Sequence, residues 1–413
     1  MLPTPPQNTS STSSSEDVFM DAVSTPLMPN FSLSLPQHSS HTFLQVESSS
    51  SADRHLHFND MASFRGTRIT TMIYDKPERG SSAFGMKENV LVCTEPGRHP
   101  KAYWLYKKLK GAIYGKVAAG YELQPYSGPP IPGGEAAGQA WEVTGRMIAC
   151  KMLSWASMNA NRARYEEDPL KEIACMQFLT SRPRTDNVMK HIVALSDNRY
   201  MYSVMEYAEG GELFDKVEES GKFTEPRARH WFRHILSGLA TLQSAGICHR
   251  DLSLENLMVS HGKTLIIDMG MCVRVPFVGG DGVPRTSVDG GSIRKLILPI
   301  TRCGKPNYMS PEIVDSTVPF DGFSIDLWAA GVILFIMLTG VPPFDRAQPG
   351  DARFHMTAMN GRLREMLEGW GMAVSDDAAE LLQAMLRADP RQRPTLEQVC
   401  GHPWVQNSDV DEP

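Results

Sequence analysis

Two short polar stretches contain residues whose types and spacing suit phosphate chemistry. In HRDLSLEN, residues 249–256, Asp251 comes five residues before Asn256. A carboxylate in such a loop can accept a hydroxyl proton, and an Asn side chain can bind a Mg²⁺ ion. Asp268 follows twelve residues after Asn256 in TLIIDMG, where an apolar strand leads into a Gly-containing turn. Together the two stretches predict a loop that transfers a phosphoryl group and binds the metal ion that this reaction needs.

The composition is that of a folded globular protein. Of the 413 residues, 41% are hydrophobic and 21% are charged, and the net charge of -6 gives no sign of a nucleic-acid partner. The longest apolar run, residues 328–341, is shorter than the roughly 18 residues that a membrane span needs, so we expect a buried helix and no membrane partner. The seven cysteines include no CxxC pair, which favours an intracellular location in the cytoplasm or nucleus.

The chain divides into segments of different texture. Residues 1–60 are rich in Ser, Thr and Pro and are expected to be disordered, whereas residues 61–102 have no assignable pattern. Strand patterns dominate residues 103–208. They are interrupted by a Gly- and Pro-rich stretch at 123–140 that is expected to be an exposed loop, and by a stretch with helical spacing around residues 169–179. Helical periodicity dominates residues 209–404, and residues 405–413 form a short tail. The expected fold class is therefore α+β, with a small β-rich N-lobe and a larger, mainly helical C-lobe.

The order and spacing of the motifs, from about Tyr103 to Trp404, resemble those of the eukaryotic protein kinase family. The matching motifs are IACK (148–151), HRDLSLEN, DMG (268–270), CGKPNYMSPE (303–312), IDLWAAGV (325–332) and HPW (402–404). GGELFDKV (210–217) and HPW are most similar to the calcium/calmodulin-dependent kinase group and its relatives. The resemblance implies the bilobal kinase fold, transfer from ATP with Mg²⁺ to Ser or Thr hydroxyls of protein substrates, and a structural ion pair between Glu312 and Arg393.

The resemblance also assigns roles to residues of the nucleotide and catalytic sites. Lys151 would hold the α- and β-phosphates, with Glu172 as its ion-pair partner; the alternative for Glu172 is a solvated helix carboxylate. Asp251 would be the catalytic base, and Asn256 and Asp268 would be the metal ligands. The residues expected to surround the nucleotide are Gly115, Val117, Ala149, Met205, Glu206, Ala208 and Met258.

Four more residues concern substrates and regulation. Glu212 and Glu255 match carboxylates that, in relatives preferring basic substrates, receive an arginine three residues before the acceptor; the alternative is two solvated surface acids. Arg250 would bind a phosphate on the activation segment, and Thr301, three residues before Gly304, is the expected target of an upstream kinase. The alternative target sites in the same activation segment, residues 268–312, are Thr286, Ser287 and Ser292. Residues 276–291 of this segment are expected to be a flexible insertion.

The sequence departs from the family pattern in three respects, namely in the glycine-rich loop, at Ser253 and at Lys305. The glycine-rich loop keeps only Gly115 in register, since Lys110 and Ala112 stand at glycine positions, and we expect weaker nucleotide affinity as a result. Ser253 stands where such kinases have a lysine that contacts the transferred phosphate, and Lys305 stands where they have a threonine. We interpret this as an exchange in which Lys305 supplies the cation and Ser253 the hydroxyl; the alternative is neutral drift at both positions.

These departures leave a second class of function open, that of a pseudokinase acting as a binding or scaffold module. The simultaneous presence of Lys151, Asp251, Asn256 and Asp268 favours an enzyme. A tyrosine kinase is disfavoured because the loop reads SLEN, with no Arg before Asn.

Overall fold

The computed structural model describes residues 67–73, 89–93, 101–125, 141–161, 167–285, 292–300 and 302–411. In its N-terminal part, seven strands close into a barrel in the order β1-β2-β3-β4-β5-β7-β6. Neighbouring strands are antiparallel, except that β1 and β6 are parallel. The strands are β1 (Thr67–Ile73), β2 (Asn89–Cys93), β3 (Lys101–Ala112), β4 (Gly115–Pro125), β5 (Trp141–Ser154), β6 (His191–Ser196) and β7 (Tyr200–Glu206).

Alternation of apolar side chains along these strands builds the core of the N-lobe. Ile148, Cys150 and Met152 of β5 are buried together with Val204 of β7, because side chains two residues apart point to the same face of a strand. The strands β1 and β2 come from the segment 61–102, for which no assignable pattern was found in the sequence. Val90 of β2 is buried in a separate small cluster, which explains how this part of the chain joins the sheet.

The C-terminal part is mainly helical, and the predicted α+β, bilobal architecture is confirmed. Two helices precede it in the N-lobe, α1 (Trp155–Asn161) and α2 (Pro169–Thr180). The helices of the C-lobe are α3 (Leu213–Ser220), α4 (Glu225–Ser244), α5 (Pro311–Asp315), α6 (Gly322–Thr339), α7 (Ala352–Phe354), α8 (Leu363–Gly369), α9 (Asp376–Met385), α10 (Leu396–Gly401) and α11 (Pro403–Gln406). A single π-helical turn, His355–Met359, follows α7.

Helix α6 is the central element of the C-lobe. The Asp321 side chain accepts a hydrogen bond from the Phe323 amide at its start, and Gly340 ends it with a positive φ of 78°, which glycine adopts without strain. By length and composition this helix would pass for a membrane span, yet all of it is buried inside the protein. The expected buried helix is therefore present.

Short strands connect the helices at the positions where the candidate site lies. β8 (Ile247–Cys248) pairs with β11 (Val273–Arg274), and β9 (Leu257–Ser260) pairs with β10 (Lys263–Ile266). β12 (Phe277–Val278) lies between β13 (Pro284–Arg285) and β14 (Ile293–Arg294) in a third small sheet. The two-stranded pairs bring the HRDLSLEN loop and the DMG turn next to each other.

The activation segment contains more structure than the sequence predicted. We expected residues 276–291 to be a flexible insertion, but within the described part of this range β12 is buried through Phe277, which packs against Phe323 at 6.2 Å between ring centroids. Arg294 donates two hydrogen bonds to Asp321, at 3.0 and 2.9 Å. Residues 277–278, 284–285 and 293–294 thus form a small sheet, whose contacts with α6 come from parts of the chain distant in sequence.

Candidate active site

Strand β5 and helix α2 place a buried cation between carboxylates. Lys151 on β5 donates to Glu172 on α2 at 2.6 Å, and to Glu167, just before that helix, at 3.3 Å. The Asp168 side chain caps α2 by accepting hydrogen bonds from the Leu170 and Lys171 amides. Because the cap fixes the start of the helix, Glu172 in its first turn is directed at the strand. The Glu172 side chain is thus not a solvated helix carboxylate.

The third carboxylate of this cluster is that of Asp268 in the DMG turn. Ligand atoms of Glu167, Glu172 and Asp268 all lie within 4.8 Å of one another. Burial lowers the pKa of Lys151, but the three carboxylates outweigh burial and hold that pKa above its ordinary value. Burial raises the pKa of Asp268, whereas Lys151 and the Gly270 amide lower it, and the net effect is a lowered pKa. Lys151 and Asp268 therefore both carry their charge at neutral pH.

Asp326 of α6 fixes the start of the HRDLSLEN loop through hydrogen bonds to its backbone. The buried Asp326 carboxylate accepts hydrogen bonds from the backbone amides of His249 at 2.7 Å and Arg250 at 2.9 Å. Arg250 has a positive φ of 69°, a conformation that a non-glycine residue keeps only where its surroundings fix it. The His249 ring contacts the Ile267 carbonyl through Nε2 at 2.9 Å, so the catalytic loop and the strand leading to Asp268 are tied together.

Asp251 and Asn256, the candidate catalytic base and metal ligand of this loop, are hydrogen-bonded to each other. The Asn256 amide nitrogen donates to the Asp251 carbonyl at 2.8 Å and to its carboxylate at 3.1 Å. Burial raises the pKa of Asp251 above its ordinary value, and Lys305 and Asn256 oppose part of that increase. Gly304 has a φ of 91°, and an added Cβ would lie 3.1 Å from the Arg250 carbonyl, so glycine lets the activation segment lie against the loop.

Ser253 and Lys305, the two residues of the exchange hypothesis, contact each other in the structure. Lys305 Nζ lies 3.2 Å from Ser253 Oγ and 2.7 Å from Glu255 Oε1. Ser253 is fully buried, whereas the Lys305 side chain is 39% exposed. The proximity that the exchange hypothesis requires is therefore present, and the positive charge of Lys305 also acts on Asp251.

The residues expected around the nucleotide lie on adjoining strands. Val117 of β4 is the register partner of Lys151, and Ala149 of β5 is the partner of Met205 on β7. Met258 lies on β9 of the C-lobe, where it packs, as Met205 does, against the core cluster that contains Ala208. The other two residues of the set are Gly115, at the start of β4, and Glu206, at the end of β7.

The packing of strands β4 and β5 restricts position 115 to glycine. A Cβ at this position would lie 2.0 Å from the Met152 carbonyl oxygen, so strand β5 can pair with β4 here only if residue 115 is glycine. Gly111, by contrast, has open space around its α-carbon. Packing of the sheet therefore requires glycine at position 115 but not at position 111.

The donor set fits a hard divalent cation. Asn256 uses its amide nitrogen toward Asp251, so its oxygen is the atom that would bind the metal. Asp268, with its lowered pKa, supplies an anionic oxygen, and Mg²⁺ prefers carboxylate and carbonyl oxygens. Asn256 and Asp268 are thus the residues that would hold a divalent cation.

The residues expected to bind substrate are paired with lysines of the chain itself. Glu212 Oε1 lies 2.7 Å from Lys110 Nζ, and Glu255 Oε1 lies 2.7 Å from Lys305 Nζ. Arg250 donates from Nη1 to the Met271 carbonyl at 3.2 Å. Thr301, the expected phosphorylation site, lies outside the described residues, as do its alternatives Thr286 and Ser287.

Sequence reasoning missed three participants in this site. Glu167 shares Lys151 with Glu172, but no motif marks it, because its position depends on how the chain enters α2. Asp326 was recognised as part of IDLW, although its role as acceptor for the loop amides was not. The ion pair of Lys110 could have been suspected from a charged residue at a glycine position, but its partner is 102 residues away.

Comparison with known proteins agrees with this geometry. Residues 134–405 match the sequence profile of the protein kinase domain. This match covers more than half of the chain, so the protein belongs to the protein kinase family.

Individual relatives are Ser/Thr kinases. The chain is 34% identical to calcium-dependent protein kinase 10 of Arabidopsis thaliana over 64% of this chain and 44% of that protein. It is 35% identical to the probable serine/threonine-protein kinase KCC4 of Saccharomyces cerevisiae, over 64% and 24% respectively. It is 33% identical to the serine/threonine-protein kinase DCLK3 of Mus musculus, over 64% and 30%. The matched region thus spans less than half the length of each of these relatives. The predicted resemblance to the protein kinase family, and within it to the calcium/calmodulin-dependent kinase group and its relatives, is confirmed.

Proposed function

We propose that this protein is an active Ser/Thr kinase that transfers the γ-phosphate of ATP, with Mg²⁺, to hydroxyls of protein substrates. The observation that carries the proposal is the 2.6 Å ion pair between Lys151 and Glu172, formed next to Asp268. Burying charge is costly unless it is paired and hydrogen-bonded, as Lys151 is to Glu172 and Glu167. Perturbed pKa values clustered in this way are typical of functional sites. A scaffold that only binds partners would not need this arrangement.

The catalytic step depends on Asp251. In the reaction the acceptor oxygen bonds to the γ-phosphorus while the bond from that phosphorus to the β-phosphate oxygen breaks, releasing ADP. Asp251 would orient the acceptor hydroxyl and take up its proton, and Asn256 holds the carboxylate in place for this. Because burial raises its pKa, Asp251 is a better general base near neutral pH than a solvated carboxylate would be.

The charged groups around Asp251 would position the phosphates. Lys151 would bind the α- and β-phosphates. Asn256 and Asp268 would hold a divalent cation, which would supply positive charge that neutralises the charge developing during transfer. Lys305 contacts Ser253 and Glu255 and its charge acts on Asp251, and we assign to it the contact with the transferred phosphate.

Asp251→Asn is expected to reduce phosphate transfer by about 10²–10⁴-fold, since it removes the general base. The measurement is incorporation of phosphate from Mg-ATP into an arginine-rich Ser peptide. Asp377→Asn, at an exposed position of α9, is the matched control and should retain activity. Equal signal from the Asp251 variant and the unmodified protein would favour the second candidate function, a pseudokinase scaffold, which the depleted glycine-rich loop supports.

Substrate choice is expected to depend on Glu212 and Glu255, and the proposed preference is for an arginine upstream of the acceptor. Both carboxylates are partly exposed, with side-chain exposures of 25% and 30%, so a substrate can reach them. Arginine pairs with carboxylates through two parallel hydrogen bonds, which makes it the favoured cation for such positions.

Phosphorylation of Thr301 by an upstream kinase is the proposed activating switch. Arg250, fixed by Asp326 at the edge of the catalytic loop, would donate to the new phosphate and order the segment. Thr301→Ala is expected to abolish activation, as measured by activity before and after phosphatase treatment. Full activity of this variant would overturn the assignment and turn attention to Thr286, Ser287 or Ser292.

We propose an intracellular location. The six cysteines whose side chains the structure describes are all free and buried. This is the state expected in a reducing compartment.

A further inference from the structure

An ion pair connects the two lobes at the entrance to the candidate site. Lys110 lies on β3, three residues before the turn into β4, and is the register partner of Val117. Glu212 lies at the start of α3 in the C-lobe, and its backbone pairs with that of Met258 of β9 in an isolated antiparallel β-bridge. The 2.7 Å contact between Lys110 Nζ and Glu212 Oε1 therefore links the nucleotide loop to the substrate side of the site.

The lysine of this pair stands at a position where a glycine is the family's usual residue. The Lys110 side chain, unlike a glycine, extends far enough to contact Glu212. Its positive charge also helps to lower the pKa of Asp268. Glu212 is also one of the two carboxylates expected to receive a substrate arginine. The chain therefore supplies its own cation to a carboxylate that a basic substrate would need.

We propose that Lys110 is a specificity-determining residue, which occupies Glu212 in the absence of substrate and competes with an upstream arginine of the substrate for that carboxylate. This inference rests on the proposed function, since it concerns the substrate of the same site. The competition weakens the preference for basic substrates and does not remove it.

The exposure of the pair sets the size of the effect. The Lys110 side chain is 54% exposed and that of Glu212 is 25% exposed. Exposed ion pairs contribute about 0.2–1 kcal/mol, which corresponds to a factor of roughly 1.4–5 in affinity. Arginine can displace the lysine because its guanidinium group binds a carboxylate through two hydrogen bonds, whereas an ammonium group acts as a point charge.

The decisive experiment measures peptide binding without turnover. A fluorescent Ser peptide with arginine three residues before the acceptor, and the same peptide with alanine there, are titrated with the full-length Asp251→Asn protein. Lys110→Gln in this background is expected to increase the affinity for the arginine peptide about 2–5-fold relative to the affinity for the alanine peptide at low ionic strength. The gain should shrink at high ionic strength, because salt screens exposed charges.

Two further variants serve as controls. Lys108→Gln removes the same charge from an exposed position of the same strand and should leave the ratio of the two affinities unchanged. Glu212→Gln should lower the advantage of the arginine peptide, because only Glu255 then remains to bind the arginine, and should make that advantage the same whether Lys110 is present or not. An unchanged or smaller ratio in Lys110→Gln, or no measurable binding of the arginine peptide by either protein, would overturn the proposal.

The result is independent of whether the protein is an active kinase. If Asp251→Asn and the unmodified protein transfer phosphate equally, the proposed function fails while the binding ratio still decides the role of Lys110. If transfer depends on Asp251 and the ratio does not change, the kinase assignment stands and the competition is refuted.

Discussion

Lys305→Thr is expected to lower turnover by about 10²–10³-fold, the cost of removing one group that stabilises charge in a transition state. The physical reason is position. Lys305 reaches Ser253 at 3.2 Å, and its charge acts on Asp251, so it is the cation next to the base on the activation segment. Threonine would leave the hydroxyl of Ser253 in place and no cation beside it. Turnover at saturating Mg-ATP and peptide is the quantity to measure.

The same substitution has a signed effect on pH dependence. The positive charge of Lys305 lowers the pKa of Asp251, which burial raises. Removing the charge therefore raises the pKa of Asp251 further, and protonation of the base begins at a higher pH. The acid limb of the pH–rate profile of Lys305→Thr should move to higher pH, an effect that a general loss of folding would not produce.

Restoring the family's arrangement gives the strongest test of the exchange. The double variant Lys305→Thr/Ser253→Lys should recover much of the lost turnover, because it returns the cation to the loop and the hydroxyl to the activation segment. Lys263→Gln, an exposed lysine at the start of β10, controls for the loss of one positive charge. A double variant no more active than Lys305→Thr would show that the two positions do not act as a pair.

Glu312→Gln is expected to destabilise the protein by about 3–5 kcal/mol, the usual cost of breaking a buried ion pair by removing one partner. Glu312 and Arg393 are joined by two hydrogen bonds, at 2.7 and 2.8 Å, and their side chains are only 6% and 1% exposed. Arg393 also lies over the Trp328 ring, 4.6 Å from its centroid. With Gln at position 312, the guanidinium would remain buried without a compensating charge.

Urea denaturation monitored by tryptophan fluorescence would measure this loss. The double variant Glu312→Leu/Arg393→Met should recover most of the stability, because neither partner is then left as an isolated buried charge. Asp389→Asn, which breaks the exposed pair with Arg391, should change stability little. If Glu312→Gln unfolded at the same urea concentration as the unmodified protein, the pair would have no structural role.

Local sequence was sufficient for the elements with strong periodicity or clear caps. Helix α2 was expected from Pro169 to about Leu179 and runs from Pro169 to Thr180, since Asp168 caps it and proline suits its first turn. Helix α6 was expected from its apolar run and is buried throughout. Both results follow from interactions between residues a few positions apart.

Other elements depended on contacts between distant parts of the chain. The first two strands of the barrel lack a local signature, and β2 is fixed by pairing with β3. The small sheet around Phe277 forms because α6 offers Phe323 and Asp321 as partners. Neither partner is close in sequence, so composition alone suggested a flexible loop.

The candidate site shows the same division. The sequence by itself determined which side chains are present for phosphoryl transfer, namely Lys151, Asp251, Asn256 and Asp268, because motif order and spacing depend only on the chain. Only the tertiary structure decided how charge is shared among them. Folding placed Glu167 beside Lys151 and paired Lys110 with Glu212. The physical reason is that electrostatic interactions depend on distance in space, and folding brings charges from distant parts of the sequence within a few ångströms of one another.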